Sequence, residues 1–362
     1  MSEIYSNSVL TIAASQSSDS EGKLFSPKSP FEIGFRLNDA EQGIDNGLRV
    51  RKAFPHQMTN MPPLETLATP YLQATFPLLK RAWVFQERIL SPRMLHFGEN
   101  ELHWECGTTA SCECGIENAS NIKPSIFALS APLRNKASNH QVPYNIAFAR
   151  LINYYSNLEL SYESDILLAL QGIVTQIEGI TGDQNVAGLW KKKLGWNLCW
   201  SVMQPSPRRR HAKVPTWSWA SVLTPINYEA YQVGEVDAGA IVTLAHPHSA
   251  PSEFALRLRR RVIRGTSKRH NDGFVFEYSS EIVIPFLVDV SEIESEVLCL
   301  VEIGPMARTD ERRHEFPCLV LHQPDPLQAD IFQRVGRVDL KPNAYSKLFD
   351  ETIGDEEDIY IV

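Results

Sequence analysis

Trp83 and Glu87 stand four residues apart in RAWVFQER, the spacing that puts two side chains on one face of a helix. A carboxylate laid against an indole loses hydration and its pKa rises, the condition in which a carboxyl group works as the acid of glycosidic-bond cleavage. Gln86, with Arg81 or Arg88, would border such a site. The same residues also suit a purely structural role, with Trp83 packed in the core and Glu87 paired to an arginine such as Arg93.

Cys106, Cys112 and Cys114, with His103 upstream, supply the donor types of a tetrahedral zinc site. Their spacing argues against one: a five-residue gap followed by a one-residue gap is not the paired C-x2-4-C of a zinc knuckle, so these are weak metal candidates and read as small thiols. Two basic runs, Arg208-Arg209-Arg210-His211 and Arg257 to Arg264 with Lys268 and Arg269, lack interleaved aromatic residues for base stacking and read as solvated faces rather than a nucleic-acid site. Trp190, Trp196, Trp200, Trp217 and Trp219 fall within thirty residues and are expected to form an internal cluster.

These residues need elements to hold them. Pro77 and Pro92 bracket PLLKRAWVFQERILS, in which Leu78, Ala82, Phe85 and Ile89 form one helical stripe. RMLHF and ELHWEC alternate around Gly98-Glu99-Asn100, a hairpin. SVLTIAA at 8–14 reads as a strand buried on both faces, which demands neighbours that nothing upstream supplies. Residues 15–75, rich in Ser, Pro, Asn and Asp, read as a surface excursion with at most short strands. Helices are expected over 146–155 and from an N-cap at Ser164 through Ile177, with Gly195 weakening a third in GLWKKKLGWNLCWSV. VPTWSWASV reads as a strand whose two indoles share a face, and from about 223 the chain becomes a succession of strands forming an antiparallel layer.

At 362 residues the chain exceeds one core of roughly 150 residues. The expected divisions are 1–91, 92–222 and 223–362. An apolar fraction of 43% with 22% charged residues fits a folded protein and excludes disordered or fibrous classes. A net charge of −8 opposes general attraction to phosphate backbones or anionic lipid. No apolar run reaches the roughly 20 residues of a membrane span, no signal peptide opens the chain, and six cysteines are too sparse for a disulfide framework, so a cytoplasmic address is expected. Phosphate-loop, dinucleotide, nucleophile-elbow, zinc-protease and EF-hand motifs are all missing.

Five blocks in order resemble the fungal heterokaryon-incompatibility (HET) domain proteins: MSEIYSNSVLTIAASQSSDSEGKLF at 1–25, RAWVFQERILSPRMLHFGENELHWEC at 81–106, YSNLELSYESDILLALQGI at 155–173, GLWKKKLGWNLCWSV at 188–202 and VPTWSWASV at 214–222. FQRVGRVDL at 332–340 and the ending IYIV look like the family's less regular tail. The family's two opening blocks, around Leu-Ser-Tyr-x-Trp-Gly and Trp-Ile-Asp-x-Leu-Cys-Ile, do not occur, so the chain is read as N-terminally truncated. The resemblance implies an incomplete open α/β N-terminal part similar to Toll/interleukin-1-receptor-like (TIR) domains, followed by helices and a mostly antiparallel β-rich region. It implies a role in allorecognition and programmed cell death through protein partners of the incompatibility system, self-association among them, with no cofactor. Some TIR domains cleave NAD with a glutamate; carried over through R-x-W-x-x-Q-E, that residue is Glu87, with Trp83, Gln86 and Arg81 as substrate-binding walls and NAD as substrate.

Overall fold

The structure, a computed structural model, describes residues 2–25, 33–36, 47–50, 76–99, 101–113, 143–210, 214–228, 242–245, 255–270, 273–291, 293, 297–303, 316–325, 327–350 and 355–362. They fall into two units, Met1–Ala128 and Leu129–Val362.

In the first unit, β1 (Thr11–Ala13) is followed by a two-stranded ribbon, β2 (Ile33–Arg36) with β3 (Gly47–Val50). A 3-10 turn, Pro77–Lys80, then leads into the helix Ala82–Leu90. Ala82, Phe85 and Ile89 are buried along the stripe that periodicity picks out. The helix ends at Ser91, whose hydroxyl donates to the Glu87 carbonyl at 2.7 Å. β4 (Arg93–Phe97) and β5 (Leu102–Cys106) form the expected antiparallel hairpin, and β6 (Ala110–Cys112) pairs with β5. β1 lies parallel to β4, so the helix sits in the crossover that a parallel pair requires.

The expectation that SVLTIAA is buried on both faces is not met. β1 is the end strand of the order β1-β4-β5-β6, and only three residues pair. Ala13 is buried, whereas Val9 is 81% and Ile12 58% exposed. Successive side chains of a strand point to opposite faces, so Ala13 lies on the covered face of the sheet and Ile12 on the uncovered one.

In the second unit, the helix Tyr144–Tyr155 matches its pattern. The next does not begin at Ser164: two 3-10 turns, Glu163–Asp165 and Leu168–Leu170, precede the helix Gln171–Thr181. The Ser164 hydroxyl bonds the Asp165 carboxylate instead of a helical N–H, at 3.3 Å. Ile166, Leu170, Ile173, Val174 and Ile177 are nonetheless buried, because successive 3-10 and α turns keep them on one side. The Trp-rich segment is built from short pieces: β7 (Asn185–Val186) with β8 (Leu189–Trp190), a four-residue helix Leu194–Asn197, and β9 (Ser201–Val202) with β10 (Ile226–Asn227). VPTWSWASV is a turn and a 3-10 helix, Trp219–Ser221, rather than a strand. Ser218 explains this: its hydroxyl accepts from Ala220 N–H, a local bond that displaces a strand ladder, and donates to the distant Ala187 carbonyl at 2.6 Å.

The C-terminal strands do more than form a layer. β11 (Val242–Ala245), β12 (Ala255–Arg260) and β19 (Glu357–Ile361) make a side sheet. β13 (Val262–His270), β14 (Gly273–Ser279), β15 (Ile282–Val288), β16 (Val297–Glu302), β17 (Phe316–His322) and β18 (Ile331–Leu340) close into a six-stranded antiparallel barrel. Closure occurs because the ten-residue β18 pairs with both β15 and β17, and its first residues also pair in parallel with β19. Arg261 separates β12 from β13, so the basic run is two strands in two sheets. Phe276, Phe286, Leu298, Leu300, Val320 and Val338 fill the barrel, and a stack of Phe316, Tyr345 and Phe349 adjoins that core. Gly265 admits the Phe276 ring into the space a Cβ would occupy, 2.5 Å from that ring's Cζ. Gly265→Val is therefore expected to lower Tm, and an unchanged Tm in differential scanning calorimetry would refute that packing.

Candidate functional site

The helix Ala82–Leu90 presents two chemically different faces. On one, Glu87 is half-buried and its carboxyl is raised above the ordinary 4.5, chiefly by burial; the hydrogen bond with Tyr5 and the charge of Arg81 oppose that rise without cancelling it. Tyr5, from the helix Ser2–Ser6 that lies against this one, is itself pushed up to about 12 by burial and by Glu87. Trp83 is half-buried one turn away, Arg81 is exposed at the helix N-terminus, and Gln86 is turned into the core. The structure thus brings Glu87, Arg81 and Tyr5 together. Arg93 reaches instead toward the Val9 carbonyl, at 3.5 Å. Tyr5 was missed because nothing in its local pattern marks it.

A carboxyl with a raised pKa holds its proton more tightly folded than unfolded, so ionisation of Glu87 opposes folding above about 4.5. Glu87→Gln is expected to raise Tm at pH 7, the gain shrinking as the pH falls toward 4.5. A lower Tm for the variant at pH 7 would contradict the desolvation described here.

The other face carries Arg88 into a buried network. Its guanidinium donates twice to Glu105 on β5, both at 2.7 Å, and Glu105 also accepts from His96 Nε2 on β4 at 3.0 Å. A carboxylate only accepts, so Nε2 carries the proton in that bond. Ser15 Oγ completes the chain, 2.8 Å from His96 Nδ1. Burial acts to raise the Glu105 carboxyl, but Arg88 and His96 hold it well below the usual carboxylate range. The order Ser–His–Glu is that of a nucleophile relay, yet Ser15 and His96 are 0% exposed and Glu105 is clamped by Arg88. In this structure the network joins helix, hairpin and the turn after β1 rather than facing a substrate.

Cys106 is half-buried at the end of β5. Burial raises its thiol, but hydrogen bonds from Thr108, side chain and backbone, and from Thr109 outweigh that and bring it from 9.0 down to about 7. Cys112 is disulfide-bonded, and Cys114 lies outside the described residues. Among the described residues no group of three or more His, Cys, Asp or Glu is placed to hold a metal ion.

In the second unit all five indoles of the Trp cluster are buried. Trp200 Nε1 donates to the Trp217 carbonyl and Trp219 Nε1 to the Gly188 carbonyl, each at 3.0 Å. Arg334 of β18 lies 3.5 Å over the Trp200 ring, pairs with Asp289 at 2.9 Å and donates to the carbonyls of Leu198 and Trp200, both at 2.7 Å. The indoles therefore join the helical part to the barrel, with a buried arginine as the link.

Five cations of the basic runs face acids. Arg257 pairs with Asp358 at 3.0 Å, Arg264 with Glu357 at 2.7 Å, Arg259 with Glu356 at 3.8 Å and Arg208 with Glu163 at 2.7 Å, while Lys268 meets Glu277. His211 lies outside the described residues. With these charges balanced, no salt-dependent gel shift is expected with DNA or RNA even at low salt; a shift that weakens steeply with salt would overturn this. Among the described residues no helix is long and apolar enough to cross a membrane. No family model matches this chain, and neither does any curated protein or solved structure.

Proposed function

We propose that this chain is a signalling protein of the HET kind, acting in fungal allorecognition and programmed cell death through protein contacts made by a TIR-like N-terminal part. The observation that carries this reading is the exposed apolar edge at β1, where Val9 and Ile12 stand in solvent beside a parallel strand pair with a helical crossover. Induced expression of the chain in fungal cells is expected to arrest growth, and Ile12→Lys to abolish the arrest without changing Tm. Normal growth on expression of the folded wild-type chain would sink the proposal.

A second reading is supported by the raised carboxyl of Glu87. In it, Glu87 acts on NAD: the bond between ribose C1 and the nicotinamide nitrogen breaks, nicotinamide leaves as a neutral molecule, and water adds to C1 while giving up a proton to the carboxylate. Trp83 and Arg81 would hold the substrate, with Gln86 positioned behind them. The expected result is nicotinamide release from NAD that disappears in Glu87→Gln. Release that persists in that variant, or none from the wild-type chain, removes the enzymatic reading and leaves the contact reading intact.

A further inference from the structure

We propose that the wall of the C-terminal barrel holds a binding site for a small, flat, uncharged aromatic molecule, in the slot where β15 and β18 part. The two strands pair at only two positions, Leu287↔Arg337 and Val288↔Gly336. The Asp289 N–H donates to the Val335 carbonyl at 2.8 Å, and strand alternation turns the backbone polar groups of Leu287 and Pro285 to that same side. Pro285 has no N–H, so the regular ladder stops where it would next donate. Gly336, paired with Val288, brings the strands close beside the last pair, Leu287↔Arg337, since a Cβ there would collide with the Leu287 carbonyl.

Beyond that pair a cavity of about 520 Å³ opens, within the range of about 300–1,000 Å³ that accommodates small ligands. Its walls are Phe274 and Val275 of β14, Pro285, Phe286 and Leu287 of β15, and Val338 of β18. The Phe274 and Phe286 rings lie 6.5 Å apart at 45° on the inner side of the slot, with Phe286 buried in the barrel core and the Arg269 guanidinium 5.9 Å from the Phe274 ring centroid. Arg337 and Asp339 are the charged residues lining it, and they satisfy each other: Arg337 Nη2 bonds both Asp339 oxygens, at 2.7 and 2.6 Å, and Nη1 donates to the Cys199 carbonyl. The pair is internally neutral, so neither Arg337 nor Asp339 offers a counter-ion to a charged guest without breaking it. Leu287, 51% exposed, marks the mouth.

The probe is N-phenyl-1-naphthylamine, a neutral fluorophore, titrated into the full chain. A saturable fluorescence rise with one site per chain is expected, with micromolar affinity. Val275→Trp, which fills the slot from the outer face, should weaken binding by about tenfold or more. Leu287→Gln removes one apolar wall and decides the matter should Val275→Trp fail to melt like the wild type. Ile12→Lys in the N-terminal unit should leave the titration unchanged. A non-saturable rise, equal affinity in a folded slot variant, loss in Ile12→Lys, or tighter binding of the sulfonated analogue 1-anilinonaphthalene-8-sulfonate would each overturn the proposal.

Discussion

Arg88→Ala is expected to destabilise the N-terminal unit by about 3–5 kcal/mol, because it leaves Glu105 buried beside His96 without the cation that balances it. The measurement is chemical denaturation read by hydrogen exchange at the amides of β4 and β5, which isolates this unit. Arg88→Met with Glu105→Gln is expected to recover more than half of the loss, since the neutral amide still accepts from His96 and no charge remains unpaired. Equal instability of single and double variants would mean that packing, not charge balance, sets the effect. The pH dependence follows from the same residue. A carboxyl whose folded pKa is depressed contributes stability that is fully present above its unfolded value of about 4.5 and is lost as the pH falls through the folded value. The wild-type unit should therefore lose stability on acidification below about 4.5 more steeply than the double variant. Parallel acid-denaturation curves would reject the assignment.

Trp217→Ala is expected to cost the second unit about 3–5 kcal/mol. The indole is fully enclosed, so truncation opens a buried cavity, while the Trp217 backbone carbonyl that receives the Trp200 N–H remains. Trp217→Phe, which retains a ring, should lose markedly less. The comparison is made by differential scanning calorimetry on the full chain. A normal Tm for Trp217→Ala combined with loss of a binding partner would instead make the cluster an interface, which its burial opposes.

Parts of this protein are legible locally. In PLLKRAWVFQERILS, Pro92 marks the end and a 3.6-residue stripe marks the buried Ala82, Phe85 and Ile89, whereas Pro77 opens a separate 3-10 turn, Pro77–Lys80, in which Leu78 of the same stripe is half-buried. The hairpin at 93–106 is equally local, with period-two strands around Gly98. VPTWSWASV shows the limit of the same reasoning. Its alternation matches a strand, but the Ser218 hydroxyl accepts from Ala220 N–H two residues on and donates to the distant Ala187 carbonyl, which holds the segment in a 3-10 turn.

What the sequence determined on its own was which stretches bury a face, since a side-chain period is written in neighbouring residues. The tertiary structure alone decided who meets whom. Tyr5 reaches Glu87 across some eighty residues, Ser15 reaches His96, Arg334 reaches the carbonyls of Leu198 and Trp200, and β18 closes the barrel by pairing with β15 as well as β17. Partner choice among distant polar groups and strand edges depends on register and on which charges are desolvated together. Neither quantity has a period in the chain, so both emerge only when the elements pack.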